Sequence, residues 1–379
     1  MSQRSRELQS KGIDVINLSL GEPDFDTPAH IKEAAKQAID NNITHYPPVP
    51  GFPELRQAIA DRLERRFGVN YHMNQVVVSG GGKHSLANVL MSIIGPGDEV
   101  VIPAPYWVSY LELVKLCEGK SVVVEAGIDQ DFKITAAQLE SVITPQTKAI
   151  LMNSPSNPSG SMYSRQEMEA LAVVLRKHPH ILIISDEIYE MITYDQEHVS
   201  WAQIDDLFPR VIIVNGCSKG YAMTGWRLGY IAAPMEIAKA CNKLQSQFTS
   251  GTCTITQMAA LAAMTGSDEA SLAMTAAFKR RRDLVMSLAK EIPGLQVNTP
   301  PGAFYIFPDV NHYLGKSFQG KVIANTSELC IYLLDHGHVA TVAGSAFGVE
   351  GYIRISYAAS DEKLVLAMHR IKEALSQLK

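Results

Sequence analysis

Five short polar or glycine-rich stretches each follow an apolar, β-branched run of the sequence. They are Ser79–Lys83, Pro103–Trp107, Asn153–Gly160, Asp186–Tyr189 and Asn215–Lys219. Together they offer glycines before a helix, an aromatic face, an amide, a carboxylate, a phenol and an amine. Because the carboxyl ends of parallel strands meet at one edge of a sheet, we expect these groups to form a single site.

Lys219 and Asp186 carry the most specific chemistry of this set. An amine in a partly dry site can lose its proton and form a Schiff base with a carbonyl compound, although a lysine at a strand end can also simply be solvated. A carboxylate at the end of an apolar strand is costly to bury without a partner. The alternative for Asp186 is a helix cap for the segment that begins at Glu187.

The stretch Ser79–Gly82 has the properties of a phosphate-binding turn. Glycines let a ligand approach the backbone closely, and the start of the following helix presents free N–H groups. A tight strand-to-helix turn is the alternative, just as core packing is the alternative to ring stacking for Trp107. Because Lys83 directly follows the three glycines, no G-x-G-x-x-G fingerprint is present, which argues against a nicotinamide-dependent dehydrogenase.

The elements that must position these groups form an α/β pattern between residues 75 and 234. Seven nearly continuous runs of Val and Ile predict strands that are buried on both faces, in a mostly parallel sheet between helix layers. The predicted strands are Gln75–Ser79, Glu99–Pro103, Ser121–Glu125, Lys148–Asn153, Ile181–Ser185, Arg210–Asn215 and Leu228–Ala233. The predicted helices between them include Lys83–Ile94, Tyr106–Cys117 and Arg165–Lys177.

The flanking sequence predicts a smaller α+β domain. Its predicted strands are Ala303–Phe307, His338–Val342 and Tyr352–Tyr357. Further helices of the chain are expected from a Thr27 cap to Asp40 and at Pro53–Phe67, Ser267–Glu291, Ser327–Asp335 and Ser360–Leu378. We therefore expect a large domain at 45–278, a discontinuous small domain at 12–44 and 279–379, and an N-terminal extension at 1–11.

The composition limits the class of protein. The 379 residues carry a formal net charge of −5, with 19% charged and 46% hydrophobic residues, which is typical of a globular protein and argues against a general nucleic-acid or membrane-surface binder. Five scattered cysteines predict free thiols and a cytoplasmic location. Residues Met1–Glu7 contain no apolar segment, so we expect no secretory signal. His336 and His338 lack further ligands nearby in the sequence, and we expect no metal.

Six motifs in this order resemble the class I, fold-type I aminotransferases that use pyridoxal 5′-phosphate, and most of all the bacterial aspartate aminotransferases. The motifs are Ser19–Phe25, Tyr46–Gly51, Ser154–Gly160, Asp186–Tyr189, Ser218–Gly229 and Arg354–Tyr357. The resemblance implies a homodimer with active sites at its interface, acting on small molecules that are amino acids and 2-oxo acids. Aspartate and 2-oxoglutarate would give oxaloacetate and glutamate. An aromatic or prephenate aminotransferase is the alternative, and a C–S lyase or a non-catalytic regulator is a lesser one.

The resemblance also implies which residues contact the cofactor. Lys219 would hold it as an internal aldimine and move the proton between substrate and cofactor carbons. Asp186 would pair with the pyridine nitrogen, and Tyr189 would bind the 3′ oxygen, which makes these three the implied catalytic residues. The implied cofactor-binding residues are Gly81, Gly82, Trp107, Asn157, Asp186, Tyr189, Ser218, Lys219, Arg227 and, from the neighbouring subunit, Tyr46.

Substrate contacts follow from the same resemblance. Arg354 would clamp the α-carboxylate, and the implied substrate-binding residues are Ser19, Gly21, Lys83, Trp107, Asn157 and Arg354. One branch of the family supplies an arginine for the second carboxylate after the cofactor lysine, but residues 244–278 contain no Arg or Lys. In another bacterial branch a lysine at the position of Lys83 does this; a solvent-facing Lys83 is the alternative. Gly216 is a departure, because many relatives have a phosphate-binding serine there.

Overall fold

The computed structural model describes residues 4, 7, 8, 10–204 and 206–379, so the predicted extension at 1–11 lies partly outside it. The strands are β1 (Ile16–Asn17), β2 (Val76–Ser79), β3 (Glu99–Ala104), β4 (Lys120–Glu125), β5 (Thr147–Asn153), β6 (Leu182–Asp186), β7 (Val211–Gly216), β8 (Gly229–Ala232), β9 (Tyr305–Ile306), β10 (Ser317–Phe318), β11 (Lys321–Val322), β12 (Val339–Ala340), β13 (Val342–Ala343) and β14 (Ile353–Ser356). The α-helices are α1 (Ala29–Asp40), α2 (Pro53–Phe67), α3 (Gly82–Ile93), α4 (Ser109–Leu116), α5 (Ala136–Val142), α6 (Arg165–Arg176), α7 (Met235–Phe248), α8 (Thr254–Thr265), α9 (Glu269–Ala289), α10 (Thr326–His336) and α11 (Asp361–Ser376).

The central sheet runs in the order β2-β8-β7-β6-β5-β3-β4 among the described residues. The pairs from β7 across to β4 are all parallel, whereas β8 runs antiparallel to both β2 and β7. This confirms the predicted α/β fold with a mostly parallel sheet between helix layers. Each predicted strand of this sheet agrees with the structure to within one residue at either end.

Helices cover both faces of the sheet because successive strand residues point to opposite sides. Val101 and Ile183 face one apolar cluster with residues of α2, α6 and α8. Their neighbours Val100 and Ile184 face a second cluster with residues of α3, α4 and α7. All four side chains are fully buried. Burial on both faces explains why the sequence shows continuous apolar runs instead of an alternating pattern.

The C-terminal part forms a smaller antiparallel sheet, β13-β14-β9, while β1 pairs with β12 in a parallel ladder. A separate apolar cluster joins these strands to α9, α10 and α11. The predicted strand His338–Val342 is wrong in one respect, because two short strands, β12 and β13, lie on either side of Thr341. The predicted boundary between residues 278 and 279 falls inside the helix Glu269–Ala289.

Two predicted helix starts are also wrong. The helix expected from Tyr106 begins at Ser109, since the Tyr106 N–H is bound to the Phe347 carbonyl at 3.1 Å. The Thr27 hydroxyl does not cap α1, because it donates to the Ala222 carbonyl at 2.7 Å and accepts from the Trp226 indole at 3.0 Å. Of the helices in the described ranges, none combines the length and apolar character that crossing a bilayer requires.

Candidate active site

The predicted polar stretches converge on a cavity of about 440 Å³ at the carboxyl edge of the central sheet. The predicted residues that line it are Gly21, Gly82, Lys83, Trp107, Asn157, Asp186, Tyr189, Ser218, Lys219, Arg227 and Arg354. The lining residues to which the sequence analysis gave no role are Val108, Tyr110, Asn153, Ile188, Thr224, Val342 and Phe347. Gly81, Ser19 and Tyr46 are predicted site residues outside this lining.

Lys219 follows the buried strand β7 and reaches back to the N-terminal segment. Its Nζ donates a hydrogen bond to the Gly21 carbonyl and lies 5.9 Å from the centre of the Tyr189 ring. Burial lowers the pKa of Lys219 to about 8, with the Glu22 carboxylate opposing this effect. A sizeable fraction of the amine is therefore neutral near pH 8, as a nucleophile or base must be.

Asp186 ends strand β6 in a buried position. Its Oδ2 accepts a hydrogen bond of 2.8 Å from the Tyr110 hydroxyl, and its Oδ1 accepts one of 3.2 Å from the Ile188 N–H. Burial raises the pKa of Asp186 to about 6, and the Tyr110 bond opposes that rise. The bond to Ile188 resembles a helix cap, but a turn rather than a helix follows at Glu187.

The sequence analysis did not predict that Tyr110 contacts Asp186. It lies on the helix α4, three residues after Trp107, and the two rings meet edge to face with their centres 5.6 Å apart. Trp107 lies just before α4, and its carbonyl accepts a hydrogen bond of 3.0 Å from the Tyr110 N–H, so a single turn of the chain brings the two rings together. That spacing was available in the sequence, but nothing local indicates that the Tyr110 hydroxyl meets a carboxylate from β6.

The glycine turn packs against the guanidinium of Arg227. Gly81 has a φ of 100°, and a Cβ there would lie 2.5 Å from Nη2 of Arg227. Nη1 of Arg227 donates to the Thr224 carbonyl at 2.8 Å, and Nη2 donates to the Gly80 carbonyl at 3.4 Å. A side chain at residue 81 would displace the cation from the start of α3. The turn therefore combines a helix N-terminus and an arginine, which together suit an anion.

Gly216 lies where the two antiparallel strands β7 and β8 approach most closely. A Cβ at Gly216 would lie 2.7 Å from the Leu228 carbonyl oxygen and 2.8 Å from the Gly229 Cα. Both contacts are with backbone atoms, which cannot rotate away. The close strand pairing therefore explains why a glycine stands at this position.

Arg354 on β14 is buried and held from two sides. Its Nη1 donates to Oδ1 of Asn157 at 2.9 Å, and its Nη2 donates to the Ser19 carbonyl at 2.6 Å. Within the described residues, its buried Nε has no hydrogen-bond partner. The Ser19 hydroxyl turns away and donates to Oδ1 of Asn17 at 2.7 Å. Ser19 therefore meets the site through its backbone, and the arginine fork is oriented for a carboxylate.

Lys83 and Trp107 form the more open part of the cavity. Nζ of Lys83 lies 4.9 Å from the centre of the Trp107 ring, and the lysine side chain is exposed. The amine is thus accessible both to solvent and to a molecule in the cavity. Tyr46 is 97% exposed and lies outside the cavity lining of this chain.

The groups that line the cavity suit pyridoxal 5′-phosphate, the cofactor that the resemblance implies. Four cationic side chains and one carboxylate line it among the described residues, which favours anionic ligands. The glycine turn leaves room beside Arg227 for a phosphate, and Asp186 is a buried acceptor for a protonated ring nitrogen. Lys219 supplies the amine that an aldehyde requires.

Comparisons with known proteins identify the family to which the chain belongs. The family model for aminotransferase class I and II matches residues 13–371. An aspartate/prephenate aminotransferase from Cereibacter sphaeroides is 48% identical over 375 residues, covering 98% of this chain and 94% of that protein. The crystal structure of the Rhizobium meliloti aspartate aminotransferase has a TM-score of 0.97 at 44% identity, covering 100% of this chain and 95% of that one.

A structure of the Thermus thermophilus aspartate aminotransferase with maleate is also similar, with a TM-score of 0.92 at 38% identity, covering 98% of this chain and 95% of that one. These matches extend over nearly the whole chain and include both the central sheet and the smaller C-terminal sheet. The chain therefore belongs to the class I and II aminotransferases, enzymes that depend on pyridoxal 5′-phosphate.

Proposed function

We propose that the protein transfers the amino group of aspartate to 2-oxoglutarate, which gives oxaloacetate and glutamate. The observation that carries this proposal is one cavity lined by two candidate carboxylate-binding cations, Arg354 and Lys83, and by the amine of Lys219. The Rhizobium relative is named an aspartate aminotransferase, and the Thermus relative was solved with the dicarboxylate maleate. Both names support a dicarboxylic substrate.

Different residues would bind the phosphate and the ring nitrogen of the cofactor. When bound, pyridoxal 5′-phosphate supplies an electron-accepting ring next to the substrate Cα. Gly82, the Ser218 side chain and the Arg227 guanidinium would bind its phosphate, with Gly81 beside them; the Gly81 N–H itself donates to the Ser79 carbonyl at 2.7 Å. Asp186 would accept a hydrogen bond from the ring nitrogen and keep that nitrogen protonated, which would favour electron withdrawal from Cα.

Proton transfer falls to Lys219. Because burial lowers its pKa to about 8, the neutral amine is available to remove the proton from the substrate Cα. The same amine would deliver that proton to the carbon of the cofactor. Tyr189 and Asn157 would bind the 3′ oxygen of the cofactor, and Trp107 would pack against its ring. In the structure the amine of Lys219 donates a hydrogen bond to the carbonyl of Gly21.

Substrate orientation falls to the two candidate carboxylate-binding side chains. Arg354 binds the α-carboxylate through parallel hydrogen bonds, with Asn157 and the backbone of Gly21 beside it. Lys83 binds the distal carboxylate as a mobile point charge at the open part of the cavity. This arrangement discriminates dicarboxylic from neutral substrates by a single exposed cation.

A donor–acceptor panel on the purified, cofactor-loaded protein tests the proposal. Aspartate with 2-oxoglutarate should produce oxaloacetate in a coupled assay, and glutamate with oxaloacetate should run the reaction backwards. Absence of turnover with every dicarboxylic donor would overturn the substrate assignment. Separately, borohydride reduction followed by peptide mapping should attach the cofactor to Lys219, and a label on another lysine would overturn the site assignment.

The second candidate function is an aspartate/prephenate aminotransferase. The Cereibacter relative bears that name. The apolar side chains of Val108, Val342 and Phe347 line the same cavity as Lys83, so that a ring-bearing acceptor would find an apolar surface beside the cation. Prephenate and phenylpyruvate should be compared with oxaloacetate as acceptors. Turnover of prephenate at a rate similar to that of oxaloacetate would favour this second candidate.

We also propose a homodimer in which Tyr46 reaches the phosphate of the neighbouring subunit. Two observations support it: Tyr46 is 97% exposed, and Phe248 is an apolar side chain that is 69% exposed. Sedimentation should give twice the mass of the chain, and Tyr46→Phe should weaken cofactor binding. A monomer with full activity would contradict the proposal.

The proposed domains remain a large one at 45–278 and a small one at 12–44 and 279–379. Separate apolar clusters around the central sheet and around α9 to α11 support two domains, but Ile31 and Ala35 belong to the first cluster and Phe278 to the second, so the clusters do not follow the boundaries at 44 and 278. A cytoplasmic location is proposed because the five cysteines, all within the described residues, are unpaired. Limited proteolysis and fractionation of the source cells would test the two proposals.

A further inference from the structure

Tyr305 is a buried tyrosine that touches the cavity residues without lining the cavity. Its hydroxyl oxygen lies 2.8 Å from the hydroxyl oxygen of Tyr189, and its side chain is fully buried. In the described part of the chain, this is the one hydrogen bond of the Tyr305 hydroxyl. Tyr189 does line the cavity. Tyr189 therefore faces the cavity, and Tyr305 lies behind it in the core.

The direction of the hydrogen bond in this pair follows from the chemistry of a hydroxyl. A phenol donates one hydrogen bond and can accept two. If Tyr189 donated to Tyr305, the Tyr305 proton would be left buried without an acceptor, which costs free energy. If Tyr305 donates instead, both protons are satisfied as soon as Tyr189 finds an acceptor in the cavity. The buried pair thus directs the Tyr189 proton towards the cavity.

The ring of Tyr305 has a second neighbour, Arg354. The guanidinium carbon of Arg354 lies 4.5 Å from the centre of the Tyr305 ring and 5.1 Å from that of Phe347. Tyr305 stands on β9, which pairs with β14, the strand that carries Arg354. Ring contacts of this kind favour the cation and restrict the plane of the guanidinium.

We propose that Tyr305 is a positioning residue with two separable parts. Its hydroxyl donates to Tyr189, so that Tyr189 donates to the 3′ oxygen of pyridoxal 5′-phosphate, and its ring holds the plane of the Arg354 guanidinium. The inference deepens the proposed function and rests on its assignment of Tyr189 to the cofactor.

The charged side chains of Asp186, Arg354 and Lys219 lie near the phenol pair. Asp186 and Arg354 act electrostatically on Tyr189, and the Lys219 amine lies 5.9 Å from the centre of its ring. Arg354 also faces Tyr305. A substitution that removes only the Tyr305 hydroxyl leaves all three charges in place, so the pair can be tested without changing the charge of the site.

The first test is a pH titration of the absorbance of the cofactor-loaded protein. Tyr305→Phe removes the hydroxyl and keeps the ring. Because Tyr189 then donates less well to the 3′ oxygen, that oxygen becomes more basic, and the apparent pKa of the bound chromophore should rise by about 0.5 to 1 unit. Tyr189→Phe should shift the same pKa further in the same direction. The double variant should match Tyr189→Phe.

The second test separates the ring from the hydroxyl. Tyr305→Leu removes both, so the KM for aspartate should rise about tenfold as Arg354 loses its ring contact. In Tyr305→Phe, by contrast, the KM should stay within about twofold of the parent value, since the ring remains. An equal rise of KM in both variants would overturn the assignment of the ring to Arg354.

A matched control exists in the same apolar cluster. Tyr194 and Tyr357 form another phenol pair, with 3.2 Å between their hydroxyl oxygens, and neither lines the cavity. Tyr357→Phe should therefore leave both the chromophore pKa and the KM unchanged. An equal shift in this control would show a general packing effect and overturn the positioning role of Tyr305.

The remaining outcomes separate the inference from the proposed function. A chromophore pKa that moves in Tyr189→Phe but not in Tyr305→Phe overturns the role of the Tyr305 hydroxyl alone. A pKa that moves in neither variant overturns the contact between Tyr189 and the cofactor, and the inference with it. A double variant that shifts the pKa beyond Tyr189→Phe also contradicts it. Should Tyr305→Phe fold poorly, Tyr305→Leu also lacks the hydroxyl, and an unchanged chromophore pKa in that variant overturns the role of the hydroxyl.

Discussion

Asp186 and Lys83 line the same cavity, yet their surroundings differ. Asp186 is buried and accepts two hydrogen bonds, and its neighbour Tyr189 is bound to Tyr305. We call these four buried residues (Tyr110, Asp186, Tyr189 and Tyr305) the inner side. Lys83 and Trp107 form the outer side, where the lysine is exposed and its amine contacts the face of a ring.

The difference teaches which part of the cavity can tolerate change. Groups on the inner side are fixed by partners in a low-dielectric environment, so removing one partner leaves another unsatisfied. A group on the outer side exchanges its contact for water at little cost. Changes on the inner side, or to Lys219 and Arg354 at its edge, should affect every substrate, whereas changes at Lys83 should affect only dicarboxylic ones.

The largest effect is expected for Lys219→Ala. Without the amine, proton transfer loses its base, and the rate of the half-reaction with aspartate should fall on the order of 10⁴-fold, equally for all donors. The measurement is a single turnover followed by the absorbance of the bound cofactor. Lys83→Met serves as a control with the same loss of one amine. A Lys219→Ala protein that retains a tenth of its activity would place the base elsewhere.

A smaller but still general effect is expected for Arg354→Lys. A lysine cannot make the two parallel hydrogen bonds, so the KM for aspartate and for aromatic donors alike should rise about 30-fold. Arg280→Lys is the control, since Arg280 also binds a carboxylate, Asp361, through two nitrogens but lies at the surface. An increase confined to dicarboxylic donors would mean that Arg354 binds the distal carboxylate instead.

Tyr110→Phe should change stability in a pH-dependent way. Burial already raises the pKa of Asp186 to about 6, above its ordinary 3.8, so the apoprotein loses stability as the pH rises through that range. Without the Tyr110 hydrogen bond the folded-state pKa rises further, and the loss continues to higher pH. At about pH 8 the variant should be less stable by about 2 kcal/mol, with a much smaller difference near pH 5.

Melting temperatures of the two apoproteins across this pH range would measure the effect. In an Asp186→Asn background the pH-dependent part of the difference should vanish, because the titrating carboxyl is gone. A Tyr110→Phe penalty that is the same at every pH would show that the hydroxyl does not act through Asp186.

The smallest effect is expected at the outer side, for Lys83→Met. This substitution removes the charge that lies over the Trp107 ring and keeps an unbranched side chain. Turnover efficiency, kcat/KM, should fall about tenfold for aspartate and glutamate and stay unchanged for aromatic donors. The donor panel used for the parent protein measures both. An equal loss for both classes of donor would show that Lys83 acts on the cofactor side and would remove the distinction between the two sides.

Sequence alone predicted the sheet and most of the cavity lining because parallel topology gathers residues that share one local feature. Asp186 and Lys219 each follow an apolar strand, and the chain needs no further information to bring strand ends together. The mostly parallel sheet is confirmed, and the assignments of individual residues to cofactor and substrate remain predictions.

The side-chain contacts that were not predicted mostly share a physical cause, which is a partner far away in sequence. Thr27 looked like a helix cap, but its hydroxyl binds the Ala222 carbonyl, 195 residues away. Tyr110 and Tyr305 received no role from the sequence, since the partner of each hydroxyl belongs to another part of the chain. The Ser19 hydroxyl turns to its neighbour Asn17, so only its backbone meets Arg354. Local patterns carry no record of such contacts.

The narrow gap at Gly216 limits how this enzyme could be re-engineered. A serine side chain at this position would overlap the Leu228 carbonyl and force the strands β7 and β8 apart. A designer who wants tighter retention of the coenzyme should therefore leave that position alone. The segment around Thr224, whose carbonyl accepts a hydrogen bond from Arg227, offers a less congested place to add an anion-binding side chain, because a Cβ at Gly225 would meet nothing within 4 Å.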